Sequence, residues 1–341
     1  MDFSLFYFAD EGSNDRYRLL LEGARFADTR DFAAVWTPER HFHSFGGLYP
    51  NPAVTGAAVA AVTERVGIRA GSVVAPLHHP LRIAEEWSVV DNLSGGRVGI
   101  SLASGWHAVD FALRPENYGG RKEILADTID QLRRLWRREH LKVVDGDGND
   151  TQVQTFPAPV NPRLPLWLTA SGNPAAFRAA GELGVGVLTH LLGQSLDDLA
   201  AKIAAYRAAH TDGPGHVVLM LHTFLGTDVD TVRETVREPF SNYLRSSIGL
   251  LAQAAGDVLP DLDPDDLAPE DVDFLVERAF ERYFSTGGLF GTVETGLKML
   301  EQVHAIGVDE VACLIDFVSD TDAVLGGLDH LDALRLAWQA R

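Results

Sequence analysis

Residues 36–54 read WTPERHFHSFGGLYPNPAV. The apolar run Phe32–Trp36 stops here and gives way to Glu39, Arg40, His41 and His43, then a Gly-Gly turn and two prolines. An imidazole titrates near neutral pH and can move a proton. Glu39 beside it either holds His41 or Arg40 in place or forms a buried ion pair. Similar groups follow other apolar runs. PLHHP supplies His78 and His79, ASGWHAVDF supplies Ser104, Gly105, Trp106, His107 and Asp110, and later runs end in Thr189, His190, His222 and Thr223. In LTASGNPAAF small residues turn the chain and Pro174 stands at the first helical position. Ser171, Gly172 and Asn173 there make either an anion site at a helix N-terminus or an ordinary cap with Asn173 as N-cap. No H-E-x-x-H spacing occurs among the twelve histidines, so no metal is expected. ASGWH is not the G-x-S-x-G of a serine hydrolase.

The elements that must position these groups are short apolar runs alternating with helical stretches. Strands are expected at 3–8, 33–37, 67–75, 97–103, 164–170, 185–191, 217–225 and 310–317. Helices are expected at 15–30, 52–64, 81–93, 121–139, 174–184, 196–209, 229–254 and 320–337. The strands are nearly continuous in apolar character, as parallel strands buried on both faces are. Eight such units predict an α/β fold, a (β/α)8 TIM barrel in one domain over 1–341, with the active site at the C-terminal ends of the strands. An open doubly wound sheet is the alternative, but ADEGSNDRY after the first strand is not its G-x-G-x-x-G turn. Two insertions are expected: an extended excursion at 144–160, and an acidic, proline-containing segment at 255–273, either a solvated loop or a lid.

A net charge of −19 and a pI near 4.9 exclude nucleic acid and anionic membranes as partners. The single cysteine, Cys313, excludes a disulfide framework and reads as a small core residue. No charged region with a following apolar segment opens the chain and no apolar stretch reaches membrane-spanning length, so a cytoplasmic location is expected.

The stretches WTPERHFHSFGGLYPNPAV, PLHHPLRIAEEWSVVDNLSGGRVGISLASGWHAVDF, PENYGGRKE, LTASGNPAAF and GVLTHLLGQS together resemble the bacterial luciferase-like flavin monooxygenases, most closely the mupirocin-type branch of polyketide and nonribosomal-peptide pathways. The resemblance runs through nearly the whole chain. It implies a luciferase-like barrel in which reduced FMN, supplied by a separate flavin reductase, reacts with O₂ to give a C4a-(hydro)peroxyflavin that transfers one oxygen atom. Ser171, Gly172 and Asn173 match the phosphate loop, and Arg121 a phosphate-pairing arginine. Ser72, Val73 and Val74 match the strand under the isoalloxazine, which in luciferases holds a cis peptide. Ser104, Gly105 and Trp106 match the segment near the flavin's polar edge. Luciferases carry two adjacent histidines where this chain has Arg40 and His41, so light emission is not expected.

On that resemblance His41 is the first candidate for the proton, followed by His107 and His190. His78 and His79 are expected to close the loop before the third helix. Arg40, Phe42, His222 and Phe290 are the expected substrate contacts, with Phe45 and Trp106 as further dry walls. The implied substrate is a polyketide- or peptide-type small molecule, free or tethered to a carrier protein. A basic run at 121–142, with RRLWRR, is either a docking patch or the outer face of a barrel helix. A homo-oligomer, a dimer, is implied. The alternatives are a deazaflavin-dependent oxidoreductase and a flavin-binding protein without turnover.

Overall fold

The computed structural model describes residues 1–9, 16–246 and 268–341. Eight parallel strands close into a barrel: β1 (Asp2–Phe6), β2 (Ala34–Thr37), β3 (Gly67–Val74), β4 (Val98–Ala103), β7 (Leu166–Thr169), β8 (Gly186–His190), β9 (Val217–Leu225) and β11 (Glu310–Leu314). Neighbours run β9-β11-β1-β2-β3-β4-β7-β8, and β8 returns to β9. Side chains alternate across each strand. Phe6, Ala34, Trp36, Trp167, Leu188, Val218, Ala312 and Leu314 fill the barrel interior. Leu5, Val35, Ile68 and Val187 belong to the larger core that includes residues of the surrounding helices. This double burial is why the strands read as continuous apolar runs.

Among the described residues the helices are α1 (Arg18–Thr29), α2 (Pro52–Ala60), α3 (Pro80–Ser94), α4 (Arg121–Trp136), α5 (Pro174–Glu182), α6 (Leu196–Ala209), α7 (Val229–Ser246), α8 (Pro269–Thr286), α9 (Val293–Ala305) and α10 (Thr321–Gln339). Asn51, His79 and Asn173 cap helices whose first residue is proline, and Ser195 makes a capping box with Asp198. At the N-terminal end of the barrel Glu310 is fully buried. It takes two bonds from Arg69 Nη1, at 2.9 and 2.7 Å, one from Ser4 at 2.6 Å and one from Trp36 at 3.0 Å. The Arg69 guanidinium lies against the Trp36 and Trp167 rings.

The peptide between Gly71 and Ser72 in β3 is cis, and the β3–β4 register shifts there. A Cβ on Gly71 would fall 2.6 Å from the Phe6 ring, so only glycine fits this close approach.

The expected excursion at 144–160 contains one arm of an antiparallel hairpin, β5 (Leu141–Val144) with β6 (Asp150–Val153), turned by Asp145. Of the expected loop at 255–273, residues 255–267 lie outside the described residues. Residues 269–273 correct that reading, because they are the first turn of α8. Its Val276, Phe280, Tyr283 and Phe284 fall on one buried stripe at helical spacing. The expected helix 229–254 is described as far as Ser246. A ninth short strand, β10 (Leu289–Gly291), was not expected; it pairs with the last three residues of β9. The run Arg133–Arg138 is largely engaged within the fold. Arg133 donates to Leu183 O and Gly184 O, Arg134 and Arg137 pair with Glu139, and Arg138 donates to Gln154. No helix among the described residues is long and apolar enough to cross a membrane.

Candidate active site

Glu39 organises the loop after β2. Its carboxylate is buried and binds three groups. His41 Nε2 lies 2.7 Å and His78 Nε2 2.6 Å from Oε1, and the Val74 N–H donates to Oε2 at 2.7 Å. Burial works to raise the Glu39 pKa, but the bonds from His41 and His78 hold it below the ordinary value. Burial works to lower His78, yet Glu39 keeps it above the ordinary imidazole value. The ionised carboxylate only accepts, so both imidazoles present Nε2–H to it. His78, expected to be structural, thus shares the carboxylate that holds His41.

Beside this cluster Arg40 faces Asp110 at 3.8 Å and Trp106 at 5.7 Å. Trp106 is 55% exposed and overlaps His107, with ring centroids 3.3 Å apart. Burial and the Arg40 charge push His107 down to about 4. Arg40 Nε, Asp110 Oδ1 and His107 Nε2 are buried yet have no hydrogen-bond partner among the described residues. Buried polar groups are ordinarily paired, so three orphans in one patch mark the edge of a ligand site.

Across the mouth, Ser72 on β3 and Ser101 on β4 both bond Thr169 Oγ1 on β7, the latter at 2.7 Å. Val73 is buried beside Ser72. Thr169 was not singled out from the sequence, although it stands next to the small-residue turn. Asn173 does cap α5, through its side chain to Ala175 N. The N–H groups of Ser171, Gly172 and Asn173 make no backbone hydrogen bond among the described residues, and a Cβ on Gly172 would meet open space. Lys202 on α6 reaches this turn. Its Nζ is 3.5 Å from Ser171 O and 2.7 Å from Gln194 Oε1. Open N–H groups, a helix N-terminus and an ammonium suit a phosphate, so these residues fit the FMN expected from the sequence. Arg121, at the start of α4, bonds Tyr118 O at 2.8 Å and covers the Tyr118 ring; no contact ties it to Ser171. His190 accepts from Leu192 N, and burial with Lys202 nearby pushes it down to about 4.

The opposite side of the mouth holds a cavity of about 510 Å³. It is walled by the residues just after β1 (Phe8, Ala9), the β2–α2 loop (His43, Ser44, Phe45), α7 (Glu238, Asn242, Tyr243) and the segment after β11 (Asp316–Ser319). Asp316 is 7% exposed. It accepts from Phe8 N, Ala9 N and Tyr49 Oη. Nothing in the sequence reading singled it out, because it closes an apolar run.

Three expected substrate contacts do not line this cavity. Phe290 is buried among Phe240, Phe284 and Phe317 and is barrel core. His222 is buried behind Tyr243 and Phe317, one layer from the cavity, and burial pushes it down to about 3. Phe42 is 61% exposed, with φ at +52° turning the chain. Phe45 does line the cavity, against Phe8 and Tyr243. Among the described residues one cluster, Asp2, His216 and Glu310, has metal-ligand spacing. It lies at the far end of the barrel, where the Arg69 guanidinium already occupies the place of a cation.

Comparison with known proteins gives this barrel and mouth their class, the flavin-dependent monooxygenases. The luciferase-like monooxygenase family model matches residues 1–310, and the chain belongs to that family. It is 24% identical to the oxygenase component of a flavin-dependent trigonelline monooxygenase from Acinetobacter baylyi, over 93% of this chain and 89% of that protein. The fold resembles monooxygenase RslO1 from Streptomyces bottropensis (TM-score 0.76, 19% identity, 99% of this chain and 100% of that one). It also resembles the oxygenating constituent of 3,6-diketocamphane monooxygenase from Pseudomonas putida, a structure in complex with FMN (TM-score 0.75, 17% identity, 97% and 96%).

Proposed function

We propose that this protein is the oxygenase of a two-component system that takes reduced FMN from a separate reductase and transfers one oxygen atom of O₂ to a small natural-product-type substrate. When bound, the reduced flavin supplies the electrons and the oxygen-activating carbon. The chain's own residues do the rest. Ser171, Gly172, Asn173 and Lys202 would hold the phosphate, with Arg121 completing the site if the Tyr118 contact opens. Ser72, Val73 and Thr169 would support the ring. Ser104, Gly105 and Trp106 would meet its polar groups, beside the orphaned Arg40, Asp110 and His107 atoms. Glu39 holds His41 through Nε2–H, which leaves Nδ1 as the atom that takes up and delivers the proton, since His107 and His190 are kept neutral at pH 7 and serve as hydrogen-bonding groups instead. Tyr243, Phe45 and Phe317 exclude water from the cavity.

The observation that carries this reading is the joint presence at one barrel mouth of an open anion-binding turn and a carboxylate-held imidazole. The oxygenase-component name of the Acinetobacter relative supports a separate reductase. We further propose a cytoplasmic homodimer pairing through barrel helices; exposed Val89 and Leu93, one turn apart on α3, support this, and sedimentation at working concentration tests it. For the reaction, anaerobic protein with reduced FMN is mixed with oxygenated buffer. The expected result is an absorbing transient before oxidised flavin forms. Direct oxidation at the free-flavin rate overturns the proposal and brings the deazaflavin alternative forward.

A further inference from the structure

We propose that the cavity beside β1 and β11 selects a neutral, planar aromatic compound bearing an O–H or N–H group that donates to Asp316. This rests on the monooxygenase reading for what happens to the bound compound, but the binding preference stands on the cavity's own construction.

Its volume, about 510 Å³, falls within the usual size of small-molecule sites. Its wall is aromatic and already assembled. Phe8 packs on Phe45 with centroids 5.0 Å apart, and Phe45 meets Tyr243 edge-on at 4.8 Å. Phe317 and Tyr49 complete it. Rings fixed this way offer faces and edges to another ring without further ordering.

Asp316 gives the cavity its direction. Oδ2 takes bonds from Ala9 N at 2.8 Å and Tyr49 Oη at 3.2 Å. Phe8 N is shared between the two oxygens, and at 2.7 Å it is the partner of Oδ1. A carboxylate oxygen takes two donors, so Oδ1 keeps one acceptor place at the cavity wall. The three donors fix the carboxylate, so it cannot turn away from a ligand lacking a donor. Burial, which costs a bare carboxylate its hydration, pushes Asp316 up to about 7 against those donors. A ligand hydroxyl relieves that cost through a charge-assisted bond. An analogue without the hydroxyl leaves it in place.

A cationic ligand is disfavoured. Arg16 lines the same cavity and opposes a second cation there, while Glu238 stands exposed at its edge.

The test is equilibrium calorimetry of the full chain with 2-naphthol, with its O-methyl ether and with N-methylquinolinium, without oxygen. Naphthol is expected to bind at least about tenfold tighter than the ether. Asp316→Asn is expected to bring the two within about threefold, while Phe45→Ala weakens both. Equal or tighter binding of the ether or the cation overturns the proposal. So does the absence of naphthol binding, or an undiminished preference in Asp316→Asn. If that variant does not fold, the comparison of the three compounds on the unaltered chain decides. A failed oxygen reaction with the naphthol preference intact removes the monooxygenase reading alone; the reverse pattern removes this proposal alone.

Discussion

His41 and His78 come from different loops, yet both place Nε2 on the same oxygen of Glu39, at 2.7 and 2.6 Å. Loss of the His78 imidazole leaves Oε1 to His41, with Val74 N still on Oε2. His78→Gln is expected to remove the part of the pH–rate profile that follows the titration of His78, above the ordinary imidazole value, while preserving most of the maximal rate. His41→Gln is expected to lower product formation by about 10²-fold or more, as loss of a general acid does. Single-turnover rates across pH separate the two; a His78→Gln profile superimposable on the unaltered one counts against the shared carboxylate.

The same cluster predicts a stability window. Glu39 is held below its ordinary value of 4.5, so its contribution is present above that pH and is lost as pH falls through the lower folded value. His78 is held above 6.5, so its contribution is present below that pH and is lost as pH rises through the higher folded value. Both are in force between about 4.5 and 6.5. Glu39→Gln is expected to cost about 3 kcal/mol there, and less on either side, in denaturant titrations.

Asp316 predicts the opposite slope. Its folded value near 7 stands above the ordinary 3.8, so the folded protein binds a proton more readily than the unfolded chain. That advantage is lost as pH rises from 3.8 to about 7. Stability of the unaltered chain relative to Asp316→Asn is expected to decline through that range and level off above it. A flat difference in melting temperature would contradict the buried-carboxyl account.

Phosphate recognition is tested by ligand choice. Lys202→Gln is expected to weaken FMN by about tenfold and riboflavin hardly at all, the cost of a charged hydrogen bond. Arg121→Gln is expected to do the same only if its guanidinium leaves Tyr118 when flavin binds. Fluorescence titration of both flavins into both variants separates the two residues.

At the other end of the barrel, Arg69→Met strips the fully buried Glu310 of its strongest partner. Unfolding free energy is expected to fall by about 3–5 kcal/mol. Flavin affinity and oxygen chemistry are expected to hold in the folded fraction, because this end carries stability rather than catalysis.

The barrel was legible because strands buried on both faces leave unbroken apolar runs such as VVLMLHTFL, and helices opened by Asn-Pro or His-Pro announce their starts. The unexpected β10 spans three residues among glycines, too few to show a period. The start of α8 was hidden by its acidic first turn, although the stripe from Val276 to Phe284 carried the signal. At the mouth, ERH and SGN stood out because ionisable or small residues interrupt apolar runs. Asp316 and Thr169 did not, since each closes a run and only barrel closure shows what it faces. Phe290 and His222 lie off the cavity for the converse reason: their strands end near the mouth, but their side chains sit in an aromatic layer that sequence alone cannot distinguish from a wall.

The chain leaves the barrel after β9 at Gly226 and re-enters along β10 at Gly291, and the two are tied by a bond from Gly226 N to Gly291 O of 2.8 Å. Between those glycines lies α7, the source of Glu238, Asn242 and Tyr243 in the cavity wall. The eight-strand closure needs none of the intervening sequence, because β9 pairs with β8 and β11 through its earlier residues. The two ends of the excursion thus meet at a fixed neck, while its described residues stay packed in the core, with Tyr283 donating to Leu191 O and accepting from Gly193 N. Replacing the stretch between the two glycines is therefore expected to change the wall that Glu238, Asn242 and Tyr243 supply, and to require substitutes for the core side chains it carries.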